Sequence, residues 1–215
     1  MTRRLVGIGV ATLFAAVLVI LYIVLFLTAA PPAISAVMRN GTANLTIQSV
    51  PSYGHAPDPD WVSYLVRDPS GRWQHSTIWK LPANTTVNVT VYQYDTATGL
   101  RNPFLAQVRG TLGGTATLNG KPFSVVNGDD ASHTFTVPDL GLSVPLSGIP
   151  DSAKNPCSTA PCTTEDHTTI RFSFKTPGPG TYRWQCFVPC AAAFIFGNGG
   201  PMQTLGWMSG ELVVT

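Results

Sequence analysis

Charge is scarce in this chain: Lys, Arg, Asp and Glu together make up 11% of the 215 residues, and the net charge is +2. No Lys/Arg cluster exists outside the extreme N-terminus, which excludes a phosphate-binding surface of the kind that nucleic acids require. Histidine is also sparse, with 4 residues and none after His167. Beyond residue 31 the pattern offers no amphipathic helix longer than two turns and no internal repeat. No nucleophile elbow, phosphate loop or zinc-protease motif is present. The chain alone is not expected to catalyse a reaction.

Apolar residues, by contrast, reach 44%, and much of the excess sits in the first thirty positions. Residues 5–30 carry no charge, and a helix needs about 20 such residues to cross a bilayer. Arg3 and Arg4 precede the run, so the positive-inside rule places the N-terminus in the cytoplasm and everything after Pro31 outside. A cleaved signal peptide is the rival reading, because Thr28, Ala29 and Ala30 supply small residues near a cleavage point. Signal h-regions are shorter, about 7–15 residues. The expectation is a retained anchor over residues 1–30 that meets the lipid bilayer through residues 5–30, in a cell membrane, with the C-terminal domain extracytoplasmic.

The remainder is rich in Thr, Val, Gly and Pro, a composition for strands and turns. Residues 31–60 read as a tether with one strand at 43–50. From Trp61 onward, short alternating runs predict strands at 61–66, 76–81, 87–94, 105–110, 115–118, 132–137, 169–175, 180–187 and 209–215. Turn residues separate them, and Asn119-Gly120 is a good hairpin signal. Many short strands with frequent turns predict an all-β domain over 61–215. Residues 96–128 read as an insertion, of the kind that binds partners, covers a site or merely extends a sheet. Four glycosylation sequons (Asn40, Asn44, Asn84, Asn88) are within chance expectation for so Thr- and Asn-rich a chain.

All four cysteines fall in the last third of the chain. Cys157 and Cys162, flanked by Pro156 and Pro161, most simply close a small loop as a disulfide. His167, after Glu165 and Asp166, reads as a solvated residue at a strand entrance, and His55 and His75 as surface residues in turn-like sequence. Two other segments stand out. One is Asp130-Ala131-Ser132-His133-Thr134-Phe135, running on to Val137-Pro138-Asp139-Leu140-Gly141. The other runs from Pro177-Gly178-Pro179-Gly180-Thr181-Tyr182 through Cys186-Phe187-Val188-Pro189-Cys190 and resumes at Met208-Ser209-Gly210-Glu211-Leu212.

In this order the segments resemble the cupredoxins. The His segment with Val-Pro-Asp-Leu-Gly, together with Cys-x-x-x-Cys, resembles subunit II of haem–copper oxidases, which holds the binuclear CuA copper centre. The resemblance implies a cupredoxin-like Greek-key β-sandwich preceded by one transmembrane α-helix. It makes His133 the upstream imidazole, Cys186 and Cys190 the thiolates, and Met208 a weak axial ligand. Thiolates and imidazole are apt donors for copper.

The chain departs from the family where a second histidine is needed. A CuA loop reads C-x-x-x-C-x-x-x-H-x-x-M, but Phe194 follows Cys190 by four and Leu205 precedes Met208 by three. Three states of the site follow. Cys186 and Cys190 form a disulfide or lie idle without metal; or His133, Cys186, Cys190 and Met208 hold one copper, with Met202 or a partner's group added; or a partner's histidine completes a binuclear centre. The apolar run 191–196 in the same loop suits docking or core packing equally. The implied function is a subunit II-like component of a respiratory terminal oxidase, structural or electron-relaying, assembled with the membrane-embedded subunit I. Two alternatives are a membrane-tethered copper chaperone and an accessory cupredoxin subunit of another membrane metalloenzyme, such as a copper monooxygenase.

Overall fold

The first segment is a long apolar run without proline, whose backbone polar groups are best satisfied within a helix. Helix α1 (Thr2–Tyr22) runs into a wider π-helical turn at Ile23–Leu27. Its span Val6–Leu25 has a mean hydropathy of 2.8 and none of it is buried by protein, so it is long and apolar enough to cross a membrane. The computed structural model describes residues 2–27, 31–54, 60–190 and 199–215. His55 and the run 191–196 lie outside the described residues.

Residues 31–215 form a separate unit. Its first seven strands are β1 (Ile34–Ser35), β2 (Val37–Arg39), β3 (Thr42–Tyr53), β4 (Trp61–Arg67), β5 (Trp73–Gln74), β6 (Ile78–Leu81) and β7 (Thr86–Gln93). The rest are β8 (Ala116–Leu118), β9 (Lys121–Phe123), β10 (Ala131–Val137), β11 (Leu142–Ser147), β12 (Thr168–Lys175), β13 (Gly180–Gln185) and β14 (Ser209–Val214). Two sheets result: a six-stranded one in the order β1-β6-β14-β13-β10-β11, and an eight-stranded one in the order β5-β4-β3-β7-β12-β8-β9 with β2 on β3. Most neighbours are antiparallel, but β1 pairs β6, β14 pairs β6 and β3 pairs β7 in parallel.

Alternation explains the layering. In β7, Val87, Val89 and Val91 are buried while Thr86, Asn88, Thr90 and Tyr92 are only partly covered, as expected for a strand with one face on a core. Between the sheets Trp79 stacks on Trp184 (centroids 4.6 Å apart, planes 15°), Phe135 stacks on Trp184 at 5.6 Å, and Tyr64 meets Trp184 edge-on at 5.1 Å. Each such pair adds about 0.5–1.5 kcal/mol beyond its area. The indole N–H groups are satisfied, with Trp79 Nε1 donating to Ser76 O and Trp184 Nε1 to Thr77 O, both at 3.0 Å. Gly210 makes this fit possible, since a Cβ there would lie 1.9 Å from Thr77 O and 2.6 Å from Trp184 Nε1.

Three expectations change. Residues 31–60, read as a tether with one strand, supply β1, β2 and a β3 that extends to Tyr53. These strands pair because β1 lies along β6 and β3 along β7, partners too remote for local periodicity to reveal. The strand expected at 105–110 is instead a 3₁₀ turn at Pro103–Ala106, started by Pro103 and capped by Asn102 Oδ1, which accepts from Phe104 N at 3.1 Å. Beyond it only single bridges form, Gln107 with Val125 and Arg109 with Ser143. Finally β11 was missed because Pro145 interrupts it, and proline is tolerated there because β11 is an edge strand. The hairpin at Asn119-Gly120 forms as expected, both residues having positive φ (49° and 82°), and it extends the eight-stranded sheet through β12.

Candidate metal centre

Three segments converge at one end of the sandwich. His133 comes from β10, near a register shift between Ala131 and His133. Cys186 and Cys190 come from the chain just past β13. The first approach is fixed by backbone pairing, as Cys186 N donates to Met208 O at 2.9 Å. Phe187 N then donates to Thr134 Oγ1 at 2.9 Å, and Thr134 N to Cys186 Sγ at 3.4 Å. His133 and Cys186 are fully buried, and Cys190 is half-buried.

The donor atoms face one another. His133 Nδ1 lies 3.0 Å from Cys190 Sγ and 3.7 Å from Cys186 Sγ, and the two sulfurs are 3.4 Å apart. The three fall within 4.8 Å of one another, an arrangement able to hold a metal ion. Cys186 and Cys190 are free thiols, so the alternative of a disulfide between them is not what the structure has; both sulfurs instead turn toward the imidazole. On its far side, His133 Nε2 lies 3.2 Å from Asp95 Oδ2. That contact is at ion-pair distance but not aligned as a hydrogen bond, and Nε2 has no other polar partner.

The charges settle in a defined pattern. Burial alone would lower the His133 pKa, but Asp95 and then Cys186 outweigh it and bring the imidazole up to about 9. Burial would raise Cys186, but contacts from Cys190, His133 and the Thr134 amide hold its thiol well below the ordinary value. Cys190 goes the other way, raised by burial and by its neighbour Cys186. Cys190 Sγ also lies 2.9 Å from Val188 O, which accepts from its thiol. Tyr64, edge-on to His133 at 6.1 Å, is pushed up mainly by burial and remains neutral.

Two thiol sulfurs and one imidazole form a soft, three-donor set, which suits Cu(I). Among the described residues they make the one cluster with metal-ligand spacing. Met208 and Met202 are buried in the same core, and it is the Met208 carbonyl that receives Cys186 N. Asp95, two residues past the end of β7, is the residue that sequence reasoning missed. Nothing in Tyr94-Asp95-Thr96 marks it, and only the packing of one sheet on the other brings it to His133.

The other sequence candidates sort cleanly. Cys157 and Cys162 form a disulfide, as expected, with Cα atoms 5.9 Å apart. The bridge packs on Val50, Leu65 and Tyr94. Buried Gln48 latches it from β3, donating to Cys162 O at 3.4 Å and accepting from Cys162 N at 2.8 Å. His167 is exposed and rests on Tyr92 and Tyr94. His75 is half-buried rather than a surface residue, held by Ser63 Oγ at 2.9 Å and set between Tyr53 and Trp207.

No family model matches the chain, and no curated protein does. Several solved structures are similar to it at low identity. One is the metal-binding domain of the Cu(I)-exporting P-type ATPase CopA of Streptococcus pneumoniae D39 with Cu(I), at 10% identity over 87% of this chain and 99% of that chain, TM-score 0.38. Another is rusticyanin of Thiobacillus ferrooxidans, at 15% identity over 85% and 82%, TM-score 0.35. A third is a chain of a heme–copper terminal oxidase dimer, at 13% identity over 99% and 98%, TM-score 0.37. At such identities and scores no function passes from them to this chain. The domain is a two-sheet β-sandwich following one long apolar helix.

Proposed function

We propose that this chain is a membrane-anchored electron-relay subunit that holds a single copper ion between His133, Cys186 and Cys190. The observation that carries the reading is the convergence of two unjoined thiols on His133 Nδ1, within 4.8 Å and largely out of water. Bound copper would supply one-electron redox chemistry there. The protein's part is to keep the donors in place on a rigid β framework, exclude water, and present the site outside the membrane. The apolar helix supports anchoring, and the Cys157–Cys162 bridge supports an oxidising, extracytoplasmic setting. His133-x-Phe135, Val137-Pro138-Asp139-Leu140-Gly141 and Cys186-x-x-x-Cys190 favour a subunit II-like place beside the membrane-embedded subunit of a respiratory terminal oxidase.

The test is to purify the full chain in detergent, add copper, dialyse, and record metal content with visible and EPR spectra. The expected result is one copper per chain and a thiolate–copper band that disappears in His133→Ala and Cys186→Ser. A colourless protein without copper after dialysis would overturn the relay and leave a metal-free scaffold subunit.

A further inference from the structure

We propose that Asp95 is the positioning residue of this centre, holding His133 so that Nδ1, and not Nε2, is offered toward Cys186 and Cys190. The inference rests on reading the cluster as a metal site. A neutral imidazole that donates through Nδ1 must carry its proton on Nε2. Asp95 Oδ2 stands 3.2 Å from that atom. Among the described residues, His133 is the basic group paired with Asp95. Even without a linear hydrogen bond, a carboxylate at this distance favours the tautomer with the proton on Nε2 electrostatically and makes the imidazole a stronger donor.

Asp95 is itself held from several sides, which separates it from an incidental acid. Thr96 N donates to Asp95 Oδ1 at 2.8 Å, leaving Oδ2 for the imidazole. Its carbonyl accepts from Ile149 N at 3.0 Å and from Gln93 Nε2 at 3.3 Å. The same Gln93 amide donates to Ser132 Oγ at 2.8 Å, so the segment carrying Asp95 and the strand carrying His133 share one buried side chain. Gly148 leaves room for the arrangement: a Cβ there would lie 2.5 Å from Ala97 N and 2.7 Å from Thr96 C. A methyl at 148 must therefore displace the segment that carries Asp95 while touching none of the three donors.

The experiment uses the full chain in detergent, loaded with Cu(I) in competition with a chromophoric chelator, followed by a redox titration and EPR of the oxidised form. In Asp95→Ala, Cu(I) affinity falls about 10–100-fold, and the reduction potential rises because a weaker imidazole donor stabilises Cu(II) less. Asp95→Glu recovers part of both, and Gly148→Ala reproduces the direction of the alanine change. Near-UV circular dichroism of the Trp79–Trp184 stack reports whether each variant is folded. Should Asp95→Ala fail to fold, the isosteric Asp95→Asn decides the matter by the same readouts. Wild-type affinity, potential and EPR spectrum in a folded Asp95 variant overturn the positioning role and leave the copper site standing. A wild-type chain that takes up no copper overturns the functional reading first, and the positioning role with it.

Discussion

Two cysteine pairs share one domain, and only one of them is joined. Cys157 and Cys162 are 5 residues apart in sequence and bridged, on a floor of Val50, Leu65 and Tyr94 with no imidazole among them. Cys186 and Cys190 are 4 apart, with sulfurs at 3.4 Å, and remain open. Their surroundings differ in what they offer a sulfur. The first pair has an apolar surface and a buried amide latch, which reward a closed loop. The second has an imidazole nitrogen at 3.0 Å from one sulfur and a backbone N–H aimed at the other, which reward a thiolate. Short spacing between two cysteines does not decide between staple and site; the neighbouring donors do.

The comparison can be broken first at the open pair. Cys186→Ser and His133→Ala are each expected to lower copper affinity by more than about 100-fold, the loss of a direct ligand exceeding that of an outer partner, with folding retained by circular dichroism. Cys157→Ser is expected to do the reverse, leaving copper content unchanged while removing about 2 kcal/mol of stability, the loop-closure value for so short a loop. Urea unfolding measures it, and a variant equally stable with and without the bridge would end the staple assignment. Gln48→Ala sharpens the same point with a smaller effect, about 1–2 kcal/mol, because it strands a buried Cys162 amide.

The smallest effect belongs to Asp68, which tests neither pair and so serves as a control. Its carboxylate accepts from Ser70 Oγ at 2.6 Å, Gln74 Nε2 at 2.8 Å and Arg72 N at 3.0 Å, and the Ser70 contact leads in holding its pKa well below the usual carboxylate range. A depressed pKa stabilises the fold above the unfolded value, about 3.9, and that contribution is lost as pH falls through the folded value. Asp68→Asn is therefore expected to be slightly less stable than wild type at pH 7 and to converge with it as the pH drops below about 4. A difference that does not shrink at all between pH 4 and pH 2 would point to lost packing and not to charge.

Much of the fold was readable from the sequence because period-two alternation is local. The strands around Val87, Phe172 and Leu212 announce themselves, and Asn119-Gly120 supplies two positive φ angles where the hairpin needs them. Reading failed where the reason for a strand lies elsewhere in the chain. Ile34 pairs only because Trp79 is there, and Pro145 is tolerated only because β11 has an open side. The site divides in the same way. His133, Cys186 and Cys190 carry recognisable chemistry and are brought together. Asp95 is an ordinary acid after a strand, and its meaning depends on one sheet facing the other.

The pairing of β6 with β14 also sets an order of events. Gly206 N reaches Thr77 Oγ1 across 129 residues of chain, and the Thr77 carbonyl receives both Trp184 Nε1 and Glu211 N. Contacts so distant in sequence form late. In a chain synthesised from its N-terminus, His133 waits for the strands that will wall it in, while Cys157 and Cys162 find each other within their own loop. Copper supplied during that interval meets Cys186 and Cys190 as loose thiols; copper supplied after β14 has docked meets the same two, already aimed.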